Sequence, residues 1–304
     1  MAYSTSSVSN IADLLTFIRN ACTANGWTLA GNVLYRGNCY VEIIADGSIG
    51  LRIRGGTGID GSNNLTGACP QYAWIGTIAG VPLAYPLTAE AHINTAPDEV
   101  YIVINYSTSY YSLLAWGMSD APGLTGSGVW FHANRTTNQG TREYHSDPSG
   151  IGISINFGTH VDGAPMFCAY DGSEGTNSGG TNNSFVHHDL DGAGWSSGDD
   201  VYPSAFRYLA PLYQIQPNAW NGEAVLLPYS VYFPRPSSKH SLVADFKHVR
   251  LVRINFLQPK DTITLGPDRW RVYPFFRKEV ATPNGGPGVT HSGTLGYAVR
   301  YTGP

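Results

Sequence analysis

Short apolar runs broken by glycine or proline set the strongest limit on what this chain can fold into. With 36 glycines and 19 prolines in 304 residues, few stretches run uninterrupted for the three or four turns of an ordinary helix. An interior Gly costs a helix about 1 kcal/mol and an interior Pro about 3 kcal/mol relative to Ala. The 19 tyrosines suit a pleated sheet surface instead. The composition therefore predicts a mainly β protein of antiparallel, sandwich-like sheets with long polar loops.

One stretch escapes the interruptions. In "IADLLTFIRNACTANG", Ile11, Leu14, Leu15, Ile18 and Cys22 recur at helical spacing, Ser9 or Asn10 can cap the start, and Asn25-Gly26 supplies the stop. This predicts an N-terminal amphipathic helix. After it, "WTLAGNVLYRG", "CYVEIIADG" and "IGLRIRGG" are partly alternating runs separated by Asn or Asp-Gly turns, the pattern of an antiparallel meander. Residues 55 to 97 read as loop-rich. "GGTGIDGSNNLTGACP" lacks the lysine and following helix of a phosphate-cradling loop and reads as extended surface chain. "DEVYIVINYSTSYYSLLAWGMS" predicts two strands, Val100 to Tyr106 and Tyr110 to Trp116, as a hairpin closing the first sheet. In the middle, only "GIGISINFG" and "APMFCAYDG" read as strands, and the Gly/Ser/Asn tract at 171 to 184 reads as an arm or loop. The last third regains strand character. Prolines 228, 234 and 236 restrict "AVLLPYSVYFPRP" to an edge or a bulge, and Arg250 and Arg253 in "VRLVRINF" predict a strand that is not dry on both sides. These readings place an N-terminal helix and antiparallel sheet at 1–118 and a β-rich remainder at 119–304. The alternative is one continuous fold with an insertion around "SDAPGLTGSG".

Charged residues make up only 13% of the chain, and they are segregated. Residues 121 to 200 carry 2 Lys/Arg against 9 Asp/Glu, whereas residues 201 to 304 carry 12 against 5. An acidic middle beside a basic end argues against nucleic acid as a partner. Two uses of the segregation stay open: docking of opposite fields between copies, or neutralisation within one monomer. The start, "MAYSTSSVSNIADLL", has no basic or long apolar run, so the expectation is a protein folded in the cytoplasm and not inserted in a membrane. Cys22, Cys39, Cys69 and Cys168 lack metal-binding spacing and read as buried free thiols.

The stretch "SFVHHDLDGAGWSSGDD" (184–200) is the one place where chemistry-bearing residues crowd together. Asp189, Asp191, Gly194 and Asp200 fit positions 1, 3, 6 and 12 of a calcium loop, but Ala193 falls where an oxygen ligand belongs and Asp replaces the terminal Glu. Asp189, Asp191 and Asp200 are thus candidate cation ligands, against the plainer reading of a turn whose carboxylates accept backbone hydrogen bonds. His187 and His188, being adjacent in extended chain, should face opposite sides, one packed and one exposed. Neither a zinc site nor a nucleophile elbow is spelled out, since "GISIN" (152–156) lacks the second glycine. A glycosidase would need two facing carboxyls, for which Glu143, Asp147, Asp162, Asp189, Asp191 and Glu223 are available. No catalytic residue or cofactor site is assigned.

Three stretches taken in order resemble a family of tailed-bacteriophage virion structural proteins of about this length: "QPNAWNGEAVLLPYSVYFPRPS" (216–237), "HVRLVRINFLQPKDTITLGPDRWRVYPFFRK" (248–278) and "HSGTLGYAVRY" (291–301). The opening "LLTFIRNACTANGWT", the stretch "DEVYIVINYSTSYYSLLAWG" and "SFVHHDLDGAGW" are similar to it as well. The resemblance implies a virion subunit without catalytic residues or cofactors, partnered by copies of itself and other virion proteins. It implies a place in the tail tip, baseplate or fibre-bearing apparatus first, and in the neck or collar second. On this reading His187, His188 and Trp195, with Arg250 and Arg253, are candidate interface residues. Two rivals stand beside it: a receptor-binding module for host surface glycan, and a cell-envelope polysaccharide hydrolase.

Overall fold

The structure, a computed structural model, describes residues 1–47, 50–77, 83–133, 135–136, 166–167, 184–198, 201–203, 212, 215–275, 278 and 295–304. The expected strands at 150–158 and 164–172 (Met166 and Phe167 apart), the tract at 171–183, Cys168, Glu143, Asp147, Asp162, Asp199 and Asp200 lie outside the described residues.

The chain is mainly β. In order it forms β1 (Ala2–Val8), α1 (Ile11–Thr23), β2 (Thr28–Ala30), β3 (Val33–Arg36), β4 (Cys39–Asp46), β5 (Gly50–Gly56), β6 (Gly58–Ile59), β7 (Leu65–Thr66) and β8 (Ala73–Thr77). Then come β9 (Leu87–Asn94), β10 (Glu99–Tyr106), β11 (Tyr110–Met118), β12 (Val129–Ala133), β13 (Arg135–Thr136), β14 (Ser184–His188), β15 (Gly194–Ser197) and β16 (Tyr202–Pro203). The last strands are β17 (Leu227–Arg235), β18 (Lys239–Arg253), β19 (Thr262–Leu265), β20 (Asp268–Pro274) and β21 (Leu295–Arg300). They make a seven-stranded sheet, β1-β9-β10-β11-β12-β14-β15, two six-stranded sheets, β13-β8-β5-β4-β3-β2 and β16-β17-β18-β21-β20-β19, and a small β6-β7 pair. Among the described strands every pairing is antiparallel except that of β13 with β8.

The seven-stranded sheet is the middle layer of three. Along β10, Val100, Ile102 and Ile104 enter one core with α1 and the β2–β8 sheet, while Tyr101 and Val103 enter a second core with the β16–β21 sheet. β11 and β12 divide in the same way, with Trp116 and Phe131 on the first side and Tyr111 and Trp130 on the second. An antiparallel sheet commonly keeps one wet face. This one is covered on both, which explains why β10 to β12 are apolar at almost every position.

The helix forms where its periodicity predicts. Asn10 caps it, its side-chain oxygen accepting the Asp13 N–H at 2.9 Å, and Leu14, Ile18, Ala21 and Cys22 form the buried stripe. The meander β2 to β5 also follows the prediction. Two expectations need correction. The loop-rich reading of 55–97 misses that Gly55 and Gly56 end β5, that β6 and β7 form a small hairpin, and that β8 and β9 are strands. In β9 the inward residues include Ala89 and Ala91, too small to register as an apolar pattern yet fully buried. The β10–β11 hairpin does not close the first sheet but sits in the middle of the central one. Because β12 and β14 pair into that same sheet, backbone hydrogen bonds cross residue 118. The prolines act as expected: β17 has only the two-residue β16 on its outer side, and its register with β18 shifts between Pro228 and Tyr229. Cys22, Cys39 and Cys69 are buried free thiols, and burial raises each thiol well above its ordinary pKa. Among the described residues no helix is long and apolar enough to cross a membrane.

Candidate functional site

The 184–197 segment is built from β14, a turn at Leu190–Gly192 and β15, with His187 opposite Trp195 and His188 opposite Gly194. The two imidazoles do face opposite sides of the sheet. His187 lies edge-on to Trp195 at 5.0 Å, and its Nδ1 accepts the Ser127 N–H at 3.0 Å. The proton is therefore on Nε2, which is 4.0 Å from Asp189 Oδ1. His188 is fully buried, 2.9 Å from the Ser196 hydroxyl and 4.6 Å from the Phe233 ring in β17. Neither ring is exposed, which corrects the expectation that one would be. The cause is the loop at 123–128: Asp189 N donates to Thr125 O at 2.9 Å and Gly128 N to His187 O at 3.1 Å, closing that loop over His187. Gly126, at φ +96°, lies so close that a Cβ would come within 2.7 Å of His188 Cα. Trp195 is also used within the chain, since its indole N–H donates to Gly67 O at 3.1 Å and its ring covers Gly55.

Of the candidate cation ligands, Asp191 is committed elsewhere. Its two oxygens accept a fork of hydrogen bonds from Arg235, at 2.8 Å from Nε and 2.5 Å from the terminal nitrogen. That guanidinium holds the exposed carboxyl below its ordinary pKa. Asp189 is exposed and Asp200 lies outside the described residues. No group of three His, Cys, Asp or Glu side chains gathers as a metal cage among the described residues. The Asp191–Arg235 pair shows an acidic-middle and a basic-end residue neutralising each other inside one chain, and Asp120, just before the acidic middle, lies 3.7 Å from Lys247. Arg250 is likewise engaged internally. It donates to Phe246 O and Val249 O, and its guanidinium lies 4.8 Å above the Trp270 ring. Arg253 donates weakly to Asn255 at 3.4 Å.

Polar groups that carry no sequence motif lie between the central and third sheets. Glu90, 2% exposed, accepts hydrogen bonds from the hydroxyls of Tyr3 (2.9 Å) and Tyr273 (2.8 Å), with Lys260 Nζ at 2.7 Å and Arg271 Nε at 3.6 Å. Burial raises its pKa, but the Lys260 hydrogen bond and the two cations outweigh this and hold the carboxyl below its ordinary range. The Tyr273 hydroxyl donates to the ionised carboxylate, and its oxygen lies 2.8 Å from His92 Nε2, so the imidazole is joined to the cluster through that hydroxyl. Glu99, fully buried at the start of β10, reaches across the layers. It accepts the Lys247 and His248 amide N–H groups at 2.8 and 2.9 Å and the Tyr101 hydroxyl at 2.7 Å. Those two amides belong to a bulge where β18 slips against β17. Burial pushes the Glu99 carboxyl up to about 7 despite these donors.

Stability should therefore depend on pH in a definite direction. Burial lowers His92 to about 4, and burial with the Arg300 charge lowers His248 to about 4. As pH falls from 6.5, the unfolded chain binds two protons that the folded chain refuses, at a cost of roughly 3 kcal/mol per imidazole. Glu99 opposes this, because its folded carboxyl keeps a proton up to about 7 while the unfolded one releases it near 4.5. Lowering the pH through that window thus returns roughly 3 kcal/mol. Between pH 6.5 and 4.5 each of these effects is only partly expressed, and a net loss of about 2 kcal/mol is expected, read as the urea midpoint against pH. A profile that is flat or rises toward acid would contradict the neutral, buried state of the imidazoles.

One exposed feature is also built. In the 217–223 turn, Asn218 N donates to Glu223 O (2.7 Å), Gly222 N to Asn218 O (2.8 Å) and Trp220 N to the Asn218 side-chain oxygen (2.8 Å). This fixed turn carries Trp220 at its tip, 95% exposed. No protein-family model matches the chain, and comparison with curated proteins gives no match either.

Proposed function

We propose that this chain is a structural subunit of a tailed-phage virion, placed in the tail tip, baseplate or fibre-bearing apparatus, that works by binding copies of itself and other virion proteins. The ordered sequence resemblance supports the virion assignment. The observation that carries the assembly role is Trp220, a large apolar side chain held in water by a hydrogen-bonded turn. A tryptophan left exposed on ordered backbone is well suited to be a contact anchor, because Trp is enriched among the residues that dominate interface energetics. The polar clusters fit the same role, since their carboxylates are filled by this chain's own donors and tie layers together. Trp220→Ala is expected to leave the thermal unfolding temperature unchanged while weakening assembly about 30-fold, the effect of removing a 2 kcal/mol anchor. Sedimentation of purified protein and its yield in purified particles read this. Normal particle incorporation of the variant would remove the anchor role, and absence of the wild-type protein from particles would remove the virion role.

A second reading has its own support. The turn that carries the exposed indole also carries Asn218 and Asn221, whose side-chain oxygens accept the Trp220 and Glu223 backbone N–H groups, and an exposed ring on a turn with amide side chains suits a sugar ring. Glycan-array binding lost in Trp220→Ala, with assembly unaffected, would establish the receptor-binding role instead.

A further inference from the structure

β1 is the one long open edge among the described strands. It forms the border of the central sheet, paired to β9 along all seven residues, from Ala2 opposite Ile93 to Val8 opposite Leu87, and nothing described pairs with its outer side. The other sheet borders are β15, β2, β13, β16 and β19, none longer than four residues. Short borders are one way in which proteins blunt their edges; charged side chains, prolines and bulges are others. β1 has none of these protections. Its sequence AYSTSSV contains no charge and no proline, and its register runs without a break. In an antiparallel ladder alternate residues turn both backbone N–H and C=O outward, so this edge offers a row of regularly spaced donors and acceptors. Beside it, β1 and α1 form a shallow groove of about 480 Å³, lined by Ser4 and Ser6 from the strand and by Asp13, Thr16, Phe17 and Asn20 from the helix.

We infer that β1 is a docking edge for a second copy of this chain, which pairs its own β1 antiparallel and joins the two central sheets into one. The composition of β1 favours itself as the occupant. A two-fold centred on Thr5 sets Ser4 opposite the second copy's Ser6, the large Tyr3 opposite its Ser7 and Val8 opposite its Ala2, with no charge facing a like charge. The axis of such a pair stands perpendicular to the sheet, so both copies of α1 lie on the same face and run antiparallel across it. Each helix then turns its groove-lining stripe toward the other, Phe17 near the centre, and the lone carboxylate of the stripe, Asp13, toward the amide of the other copy's Asn20. Backbone pairing supplies the affinity in this mode, and the side-chain match sets the register. The inference extends the assembly reading, but its test reads β1 alone.

The test compares wild-type protein with Thr5→Lys/Ser7→Lys by light scattering and sedimentation over a range of concentrations. Both positions are exposed, and Thr5 sits opposite Glu90, so a lysine there meets a carboxylate within the monomer but its own like charge across the two-fold. Wild-type protein is expected to dimerise with concentration, and the double variant to need at least tenfold more protein while melting at the same temperature. Amide exchange on the wild-type protein supplies the second measurement: alternate amides of β1 should gain protection as concentration rises. A dimer unchanged by the lysines, with those amides still open, would overturn the docking edge and leave the assembly reading standing. A wild-type chain monomeric throughout, with open β1 amides, would overturn it as well. A β1-dependent dimer missing from purified particles would instead keep the edge and remove the virion role.

Discussion

Trp130→Ala is expected to destabilise the fold by about 3–5 kcal/mol, the range for deleting a fully buried aromatic side chain from a core. Trp130 is 0% exposed and points from β12 into the core shared by the central and third sheets, edge-on to Phe246 of β18 at 4.6 Å and 6.1 Å from Tyr101. Its ring covers Gly117, its cross-strand neighbour in β11, where an added Cβ would meet the ring at 3.0 Å and Asp98 O at 2.4 Å. The surroundings therefore cannot simply collapse into the space. The indole N–H has no hydrogen-bonding partner among the described residues, so Trp130→Phe removes an unsatisfied donor along with part of the ring and should cost less than half as much as alanine. Urea unfolding of the two variants gives the comparison. Amide exchange should show the alanine variant loosening first in β18, because Phe246 loses the nearest of its three aromatic neighbours among the described residues while the first core is untouched. Equal costs for Phe and Ala would mean that the ring does not fill this space.

How far the fold is legible in the sequence follows from how local each cause is. α1 is announced by its own residues, with Leu14, Ile18 and Cys22 on one stripe and Asn10 at its cap. The β2–β5 meander and the β10–β11 hairpin are equally local, each joined by a short turn. β1 and β9 are not. "AYSTSSV" has almost no apolar signal and finds its partner far along the chain, with Ala2 opposite Ile93 and Val8 opposite Leu87. "LTAEAHIN" alternates small apolar residues with Thr, Glu, His and Asn, a pattern that on its own describes a strand with one face in water. That polar face is covered because the third sheet, assembled from strands between residues 202 and 300, lies over it. The site shows the same division. The crowding of His187, His188, Asp189 and Asp191 is visible in sequence, but their tasks are set by Ser127, Phe233 and Arg235, 44 to 60 residues away. The carboxylates that join the layers, Glu90 and Glu99, carry no motif. The nearest sequence signal is a carboxylate inside an otherwise buried strand, and it becomes informative only once both faces of that strand are known to be covered.

Glu90→Gln tests that covering directly and is expected to cost about 3–5 kcal/mol, the range for removing one partner of a buried charge pair. The substitution keeps the shape and removes only the charge. Lys260 and Arg271, with side chains 29% and 17% exposed, would then remain partly buried without their anion, and the new amide would turn hydrogens toward at least one of four donors. Two controls separate charge from packing. Tyr3→Phe deletes one hydroxyl donor to the same oxygen and should cost only about 1 kcal/mol. Replacing the cluster as a unit, with Glu90→Gln, Lys260→Met and Arg271→Met together, should recover much of the loss, since no unpaired ion is then left inside. The pH dependence has a fixed sign. The carboxyl is held below its ordinary pKa in the folded chain, so its contribution is complete above about pH 4.5 and disappears as pH falls through the lowered folded value. The wild-type advantage over Glu90→Gln should shrink in that acid range and stay constant from pH 5 to 8. An advantage that persists undiminished to pH 2 would mean that Glu90 acts through its shape, and that the clasp between the β1–β9 edge and β20 does not depend on charge.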